Sequence, residues 1–424
     1  MKHVIIGNGP AGVIAAEIIR KNAAGDEIVL LGDEPEPSYS RMAIPYLLMG
    51  NIEEQGTYLR KDIGHFSRLR IQQQAGRARA IDSTARAVHL QDGGSIAYDR
   101  LLIATGSLPV RPPIPGIDSK GVHSCWTLQD ARHIMALARP KARVIQMGAG
   151  FIGCIIMEAL ASRGIDLTVV EMGDRMVPRM MGDGAGRMIR QWCEKKGVKV
   201  FTSTQVTAIE QGDEESGAPL RVQLSNGEWL PADLVISATG VKPNLGFLQD
   251  SGIHCGKGIL VDPTMQSSVP GIYAAGDCAE AFDSASGMTV VSAIQPSAAG
   301  QAWCAAMNMA GRFVEQHAVT QINVLDTLGL ISTSFGRWDG VPDGERIELT
   351  DPANFRYLRL EFDGDILIGA NAIGHTAHTG VLRGLIQQRV KLGEWKDRLV
   401  ADPTRLMEAY IACSQRQHAW QAAG

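Results

Sequence analysis

The sequence has no cysteine before Cys125, and none of its seven cysteines (125, 154, 193, 255, 278, 304 and 413) stands in a C-x-x-C pair. That pattern excludes a sequence-local dithiol and the usual ligand spacings of zinc and iron–sulfur centres, so no metal is expected. Scattered cysteines read instead as reduced core thiols of a cytoplasmic protein. No apolar run reaches the roughly 18 residues that cross a bilayer, and the first strand-like run starts at His3, which leaves no room for a signal peptide. Charge of one sign is also lacking. Lys and Arg total 41 against 45 Asp and Glu, a net charge of −4, so neither nucleic acid nor an anionic membrane is an expected partner. Low-complexity segments are absent. What is present is a globular composition over 424 residues, 45% hydrophobic and 20% charged, long enough for two or three domains. Glycine is abundant, at 47.

The glycines explain themselves first at Val4-Ile5-Ile6-Gly7-Asn8-Gly9-Pro10-Ala11-Gly12. A β-branched run ends in Gly-x-Gly-x-x-Gly, and an apolar helical pattern runs from Ala11 to Arg20. Gly7 permits a tight turn, Gly9 lets backbone approach a pyrophosphate, and Gly12 lets the helix pack on the strand. The helix N-terminus offers N–H groups and a positive dipole end to phosphate. A second strand, 27–31, runs into Asp33-Glu34, about where a ribose-binding carboxylate belongs. The alternative is a Gly-rich turn in an ordinary α/β domain, and strand, helix, second strand and acid in order favour a bound dinucleotide.

The same unit occurs again. Val144 to Met147 leads into Gly148-Ala149-Gly150-Phe151-Ile152-Gly153, a helical stretch runs to about Arg163, and a strand, 167–170, delivers Glu171. Leu101-Leu102-Ile103-Ala104-Thr105-Gly106 likewise resembles Val235-Ile236-Ser237-Ala238-Thr239-Gly240. One architecture used twice predicts two dinucleotides that exchange electrons.

The fold expected is α/β, with two dinucleotide-binding Rossmann-like domains and a C-terminal α+β domain. The boundaries expected are 1–118 with 256–320 for a discontinuous first domain, 119–255 for the second, and 321–424 for an interface or cap domain. Strands are expected over 81–90 and 95–103 around the turn Asp92-Gly93-Gly94, and a hairpin at Asn226-Gly227. Gly271 to Asp277 reads as a strand ending in Gly276-Asp277, followed by a helix over 296–309. Further on, strands are expected over 355–362 and 366–370, and helices over 378–390 and 404–412.

Four motifs in order carry a family likeness: Gly7-x-Gly9-x-x-Gly12, Ala104-Thr105-Gly106 with Pro109, Gly148-x-Gly150-x-x-Gly153, and Ala275-Gly276-Asp277. The set resembles the pyridine nucleotide–disulfide oxidoreductase superfamily over residues 1–320. The resemblance implies FAD in the first unit and NAD(P)H in the second, with Asp277 at the FAD ribityl–phosphate region. Tyr39-Ser40-Arg41 and the segment Asn323 to Gly329 look like the rubredoxin, ferredoxin and nitrite reductase branch. Three departures stand out. The disulfide branch's early cysteine pair is missing. The single cysteine of the peroxidase and oxidase branch is missing from 39–44. Ile155 stands where the family usually has Glu near the nicotinamide; Glu158, one helical turn on, is either a substitute or a surface acid.

Single residues leave alternatives. Glu171 either accepts both ribose hydroxyls of NADH or is a surface acid at a strand end. Arg175 and Arg179 just beyond keep NADPH open. Arg41 pairs with flavin or phosphate, or is a surface charge. His375 and His378 suggest acid–base work, but without a thiol a structural or partner-facing role suits them better. Cys278, Trp126 and Trp303 read as core.

No side chain is assigned the chemistry, which the flavin carries. The expectation is an NADH-linked FAD oxidoreductase that passes electrons to or from a ferredoxin-like or other iron–sulfur protein or subunit. The likeness extends to NAD-linked subunits of multi-subunit complexes of the phenylglyoxylate dehydrogenase type, and so to an oligomer or complex subunit. The alternatives are an NADH oxidase or small-molecule reductase, and a non-catalytic FAD-binding partner protein.

Overall fold

The computed structural model describes residues 1–213, 217–283, 287–316 and 322–421. The chain divides into two units, Met1–Pro109 with Val241–Val319, and Val110–Gly240 with Thr320–Gly424. Residues 241–255 therefore lie in the first unit, not in the second as expected. The C-terminal segment shares a unit with 110–240. The expected boundary at 320/321 lies outside the described residues.

The first unit is built on a five-stranded parallel sheet in the order Ile272–Ala274, Arg100–Ile103, Lys2–Ile6, Glu27–Gly32, Ile71–Ala75. Val4 sits opposite Val29 and Leu101. The central strands read as unbroken apolar runs because both faces are buried. One face packs the helix Pro10–Asn22 and the helix Gln295–Met309, through Ala15, Ala16, Ile19, Ala302, Ala305 and Ala306. Small residues let these two helices approach closely.

The expected strand 81–90 is instead a hairpin, Ala78–Asp82 against Ala87–Leu90. Asp82 Oδ1 accepts the N–H groups of Thr84 and Ala85, and Arg86 turns at φ +53. Local side-chain capping competes with strand extension and reverses the chain here. The expected strand 95–103 is split. Ser95–Ala97 joins the antiparallel hairpin, and Arg100–Ile103 joins the parallel sheet. Gly93, at φ +93, makes the turn between Leu90 and Ser95.

The second unit holds its own five-stranded parallel sheet in the order Lys199–Phe201, Asp166–Val170, Arg143–Met147, Leu234–Ser237, Val122–His123. A three-stranded antiparallel sheet follows, and Asn226-Gly227 turns its second hairpin, with Gly227 at φ +91. The C-terminal segment forms a five-stranded antiparallel sheet in the order Ile322–Thr327, Leu330–Gly336, Ile366–Ile373, Arg356–Asp363, Glu345–Asp351. Helices Thr379–Gln387, Trp395–Ala401 and Leu406–Gln421 cover one face around Phe335, Leu360, Leu385 and Leu399. Sequence reading did not anticipate the strands Leu330–Gly336 and Glu345–Asp351. The first carries the buried polar run Ser332-Thr333-Ser334, and the second is largely exposed, so neither shows a clean apolar alternation.

Candidate functional site

In the first unit the strand Lys2–Ile6 ends at Gly7, whose φ is +111 and whose absent Cβ would lie 2.1 Å from the Ala104 carbonyl oxygen. A Cβ on Gly12 would lie 1.8 Å from the Gly7 oxygen. Those two glycines are required by the chain itself. A Cβ on Gly9 would meet nothing within 4 Å, at an ordinary φ of −75. The chain's own packing therefore does not call for a glycine there. Gly9 is also the N-cap of the helix Pro10–Asn22, with no side-chain cap and no acid in the first turn. The N–H groups of Ala11 and Gly12 belong to the helix end that has no intrahelical partner.

The other motifs of the unit converge on this turn. Ala104 N–H bonds the Ile6 carbonyl, and Ala275 N–H bonds the Ile103 carbonyl. Gly276, at φ +81, lies against Ala11 and Ala298. Asp277 accepts a 2.9 Å hydrogen bond from Ser107 Oγ. Burial holds its carboxyl above the ordinary range, opposed by Ser107 and by the charge of Arg41. Thr105 donates to the Asn244 carbonyl, and Gly106 turns at φ +65.

The two adjacent acids part company. Asp33 pairs with Arg77 at the surface. Glu34 accepts Tyr39 OH and Arg41 Nη2, each at 2.6 Å. Arg41 is thus already engaged with Glu34 and Tyr39, with its guanidinium 5.6 Å from the Tyr39 ring centroid.

The second unit repeats the glycine logic. Cβ atoms on Gly148 and Gly153 would lie 2.5 Å from the Ala238 and Gly148 oxygens, whereas one on Gly150 would meet nothing within 4 Å. Gly150 caps the helix Phe151–Ala161, whose first residues Phe151 and Ile152 are half-buried. Gly240, at φ +110, also faces open space, and its carbonyl accepts Val110 N–H. Glu171 is buried. Its Oε2 accepts Ala149 N–H at 2.6 Å and its Oε1 accepts Gly173 N–H at 2.7 Å. Its carboxylate therefore braces the glycine turn, a role its strand-end position did not reveal. Arg175 is occupied by Asp174, Asp183 and the Met181 carbonyl, whereas Arg179 is exposed. Ile155 and Glu158 are half-buried, and burial and Asp326 raise the Glu158 carboxyl.

Two buried amides escaped sequence reading. Gln301 accepts Gly276 N–H at 2.9 Å, and Gln146 donates to the Gly148 and Gly153 carbonyls, both at 2.9 Å. The signal for Gln146 was available: an amide inside the apolar run Val144 to Met147, where the first unit has Ile5. His375 and His378 lie at the end of the C-terminal sheet. Burial and Arg356 lower the His375 pKa.

Six of the seven cysteines are buried and Cys255 is exposed, and none is joined in a disulfide among the described residues. Cys278 Sγ faces the Ile103 and Ala275 carbonyls, and burial pushes its thiol up to about 11. Cys125 is pushed up to about 12. Among the described residues, no three His, Cys, Asp or Glu side chains lie together as metal ligands.

Two glycine turns lie at the carboxyl ends of two parallel sheets, the position at which open α/β sheets take nucleotides. The chain belongs to the pyridine nucleotide–disulphide oxidoreductase family, whose model matches residues 1–298. It is 32% identical over 406 residues to the NADH-dependent phenylglyoxylate dehydrogenase subunit epsilon of Aromatoleum evansii, covering 95% of each chain. It is 34% identical over 349 residues to an NADH oxidase of Methanocaldococcus jannaschii, covering 79% of this chain and 77% of the other. It is 32% identical over 277 residues to the ferredoxin–NAD(+) reductase component of the biphenyl dioxygenase system of Paraburkholderia xenovorans, covering 65% of this chain and 66% of the other. The protein is an NAD(H)-linked FAD oxidoreductase, as expected.

Proposed function

We propose that this protein exchanges electrons between NAD(H) and an iron–sulfur protein or subunit, as the FAD-bearing member of a multi-subunit complex of the 2-oxoacid dehydrogenase type. FAD, when bound, supplies the change from paired to single electrons. The observation that carries the reading is the sealed state of Cys278, the thiol next to the Gly276-Asp277 motif, with no partner cysteine before Cys125. With no thiol on hand to take electrons onward, they leave through another molecule. The likeness to a phenylglyoxylate dehydrogenase subunit and to a ferredoxin reductase supports that exit.

The positions of the motif residues support the following roles. Gly7, Gly9, Pro10, Ala11 and Gly12 hold the FAD pyrophosphate, with Asp277 and the Ala104-Thr105-Gly106 turn beside it. Glu34, oriented by Tyr39 and Arg41, suits the FAD ribose better than the surface acid Asp33. Gly148, Gly150, Phe151, Ile152 and Gly153 hold the NAD(H) pyrophosphate. Glu171 faces its ribose, with Gly240 across the turn. Cysteines without a disulfide among the described residues support a cytoplasmic setting.

Anaerobic NADH titration followed by acceptor comparison tests the reading. NADH should bleach the flavin rapidly, and a ferredoxin or viologen should reoxidise it much faster than oxygen. Pull-down from native cells should retain iron–sulfur subunits. Faster turnover with oxygen would favour the oxidase alternative, and a flavin that NADH does not bleach would favour a non-catalytic FAD protein.

A further inference from the structure

Ala149, the middle residue of the second glycine turn, is held on both sides. Glu171 accepts its N–H at 2.6 Å, and Val177 N–H donates to its carbonyl at 2.9 Å. Val177 makes that bond from a left-handed backbone, at φ +51, and is buried. For a β-branched residue this conformation is strained, and it persists only where the surroundings over-determine it. The Val177 carbonyl in turn accepts the N–H groups of Met180 and Met181, each at 3.0 Å. The strap then meets the C-terminal sheet. Asn371, fully buried on the strand Ile366–Ile373, accepts Gly182 N–H on Oδ1 and donates Nδ2 to the Met180 carbonyl, both at 2.9 Å.

We propose that Asn371 is a positioning residue for NAD(H): by clamping both ends of the Met180–Gly182 segment, it keeps Val177 in the strained conformation that aims Ala149 and the glycine turn. Each link is a direct hydrogen bond. The side chain that starts the chain lies 189 residues from Gly182 in sequence. Both amide groups of Asn371 are used, so a residue lacking either donor or acceptor releases one backbone group. A buried backbone group left unpaired is costly, so the strap would relax to pair it elsewhere. Val177 would then relax out of φ > 0 and lose its bond to Ala149. A relative whose C-terminal sheet moved would, by the same linkage, change its nucleotide site; the coupling is reciprocal.

The proposal rests on NAD(H) lying at the second glycine turn, and Gly150→Ala keeps the two claims apart. That variant should lose NADH affinity whatever Asn371 does, and unchanged affinity would remove the site itself. Hydrogen–deuterium exchange on the full FAD-loaded chain tests the strap. Asn371→Ala should speed exchange about fivefold or more in peptides covering 177–182 and 148–150, and leave the peptide over 2–12 unchanged. KM for NADH should rise about fivefold to tenfold, with kcat at saturating NADH retained. Asn371→Asp, which keeps an oxygen for Gly182 N–H, should fall between the two. In the unmutated protein, NAD+ should slow exchange in the peptide over 366–373. Faster exchange confined to the C-terminal sheet, with 148–150 and KM unchanged, would make Asn371 merely structural and overturn the proposal. If Asn371→Ala fails to fold, a 366–373 peptide indifferent to saturating NAD+ overturns it equally.

Discussion

Glu171 and Ala149 are joined by a 2.6 Å hydrogen bond from the Ala149 N–H to the Glu171 carboxylate, across the mouth of the second glycine turn. The acid at the end of the second strand therefore shapes the turn, and the ribose role proposed for it would use its remaining lone pairs. Glu171→Ala removes both. NADH should be preferred to NADPH in the unmutated protein, because a 2′-phosphate would meet a buried carboxylate. The variant should lose roughly tenfold of that preference, and KM should rise for both nucleotides because Ala149 and Gly173 lose their acceptor. Steady-state kinetics with the two nucleotides decide. Equal kcat/KM for both in the unmutated protein would remove Glu171 from the site.

The paired glycines separate folding from binding. Gly12→Ala should lower Tm by several degrees, since its Cβ would press 1.8 Å from the Gly7 oxygen. Gly9→Ala and Gly150→Ala place their Cβ in open space, so both should fold, with a cost within about 1 kcal/mol from the poorer N-cap. Gly9→Ala should lose FAD, and acid precipitation of the unmutated protein should release its flavin into the supernatant. Gly150→Ala should keep FAD and lose NADH affinity by tenfold or more. Flavin absorbance and nucleotide titration read the two losses separately.

Thiol chemistry should leave turnover intact. Cys255 is the exposed cysteine, and burial raises even its thiol. Cys125 and Cys278 are pushed up to about 12 and about 11, so little thiolate exists at neutral pH. Iodoacetamide at pH 8 should label Cys255 first, as mass spectrometry will show. Cys125→Ser and Cys278→Ser should retain NADH-driven viologen reduction. A variant that keeps its FAD yet loses turnover would reveal a cysteine relay.

Stability should fall on mild acidification, and His3 should account for part of the fall. Its ring is fully buried with Nε2 2.8 Å from Asp26, and burial outweighs that carboxylate and lowers its pKa below 6.5. Below pH 6.5 the unfolded chain takes up a proton that folded His3 refuses. The unfolded state then binds more protons, so stability declines from pH 6.5 down to the lowered folded pKa and is fully present above that window. His123 and His375 are lowered by burial too and act in the same direction. Urea midpoints between pH 5 and 7.5 should slope less steeply in His3→Gln; an unchanged slope would exclude His3.

The two dinucleotide units were legible from residues 4–12 and 144–153 alone, because a glycine turn between strand and helix is a local steric requirement. The Gly7–Ala104 and Gly148–Ala238 approaches, 2.1 and 2.5 Å for an added Cβ, are that requirement in three dimensions. The C-terminal sheet was half legible. Leu330–Gly336 hides three buried hydroxyl residues against the rest of its unit, where apolar periodicity gives no sign of burial.

By itself the sequence determined the two glycine turns and their helices, since each depends on residues within a few positions of one another. Tertiary structure decided the rest. It set Tyr39 and Arg41 against Glu34 and Arg77 against its neighbour Asp33, and it turned Glu171 toward Ala149. It also brought Asn371 to Gly182 and Gln301 to Gly276. Those pairings are hydrogen bonds between groups distant in sequence, and a buried donor takes whichever acceptor the packed core leaves within 3 Å of it.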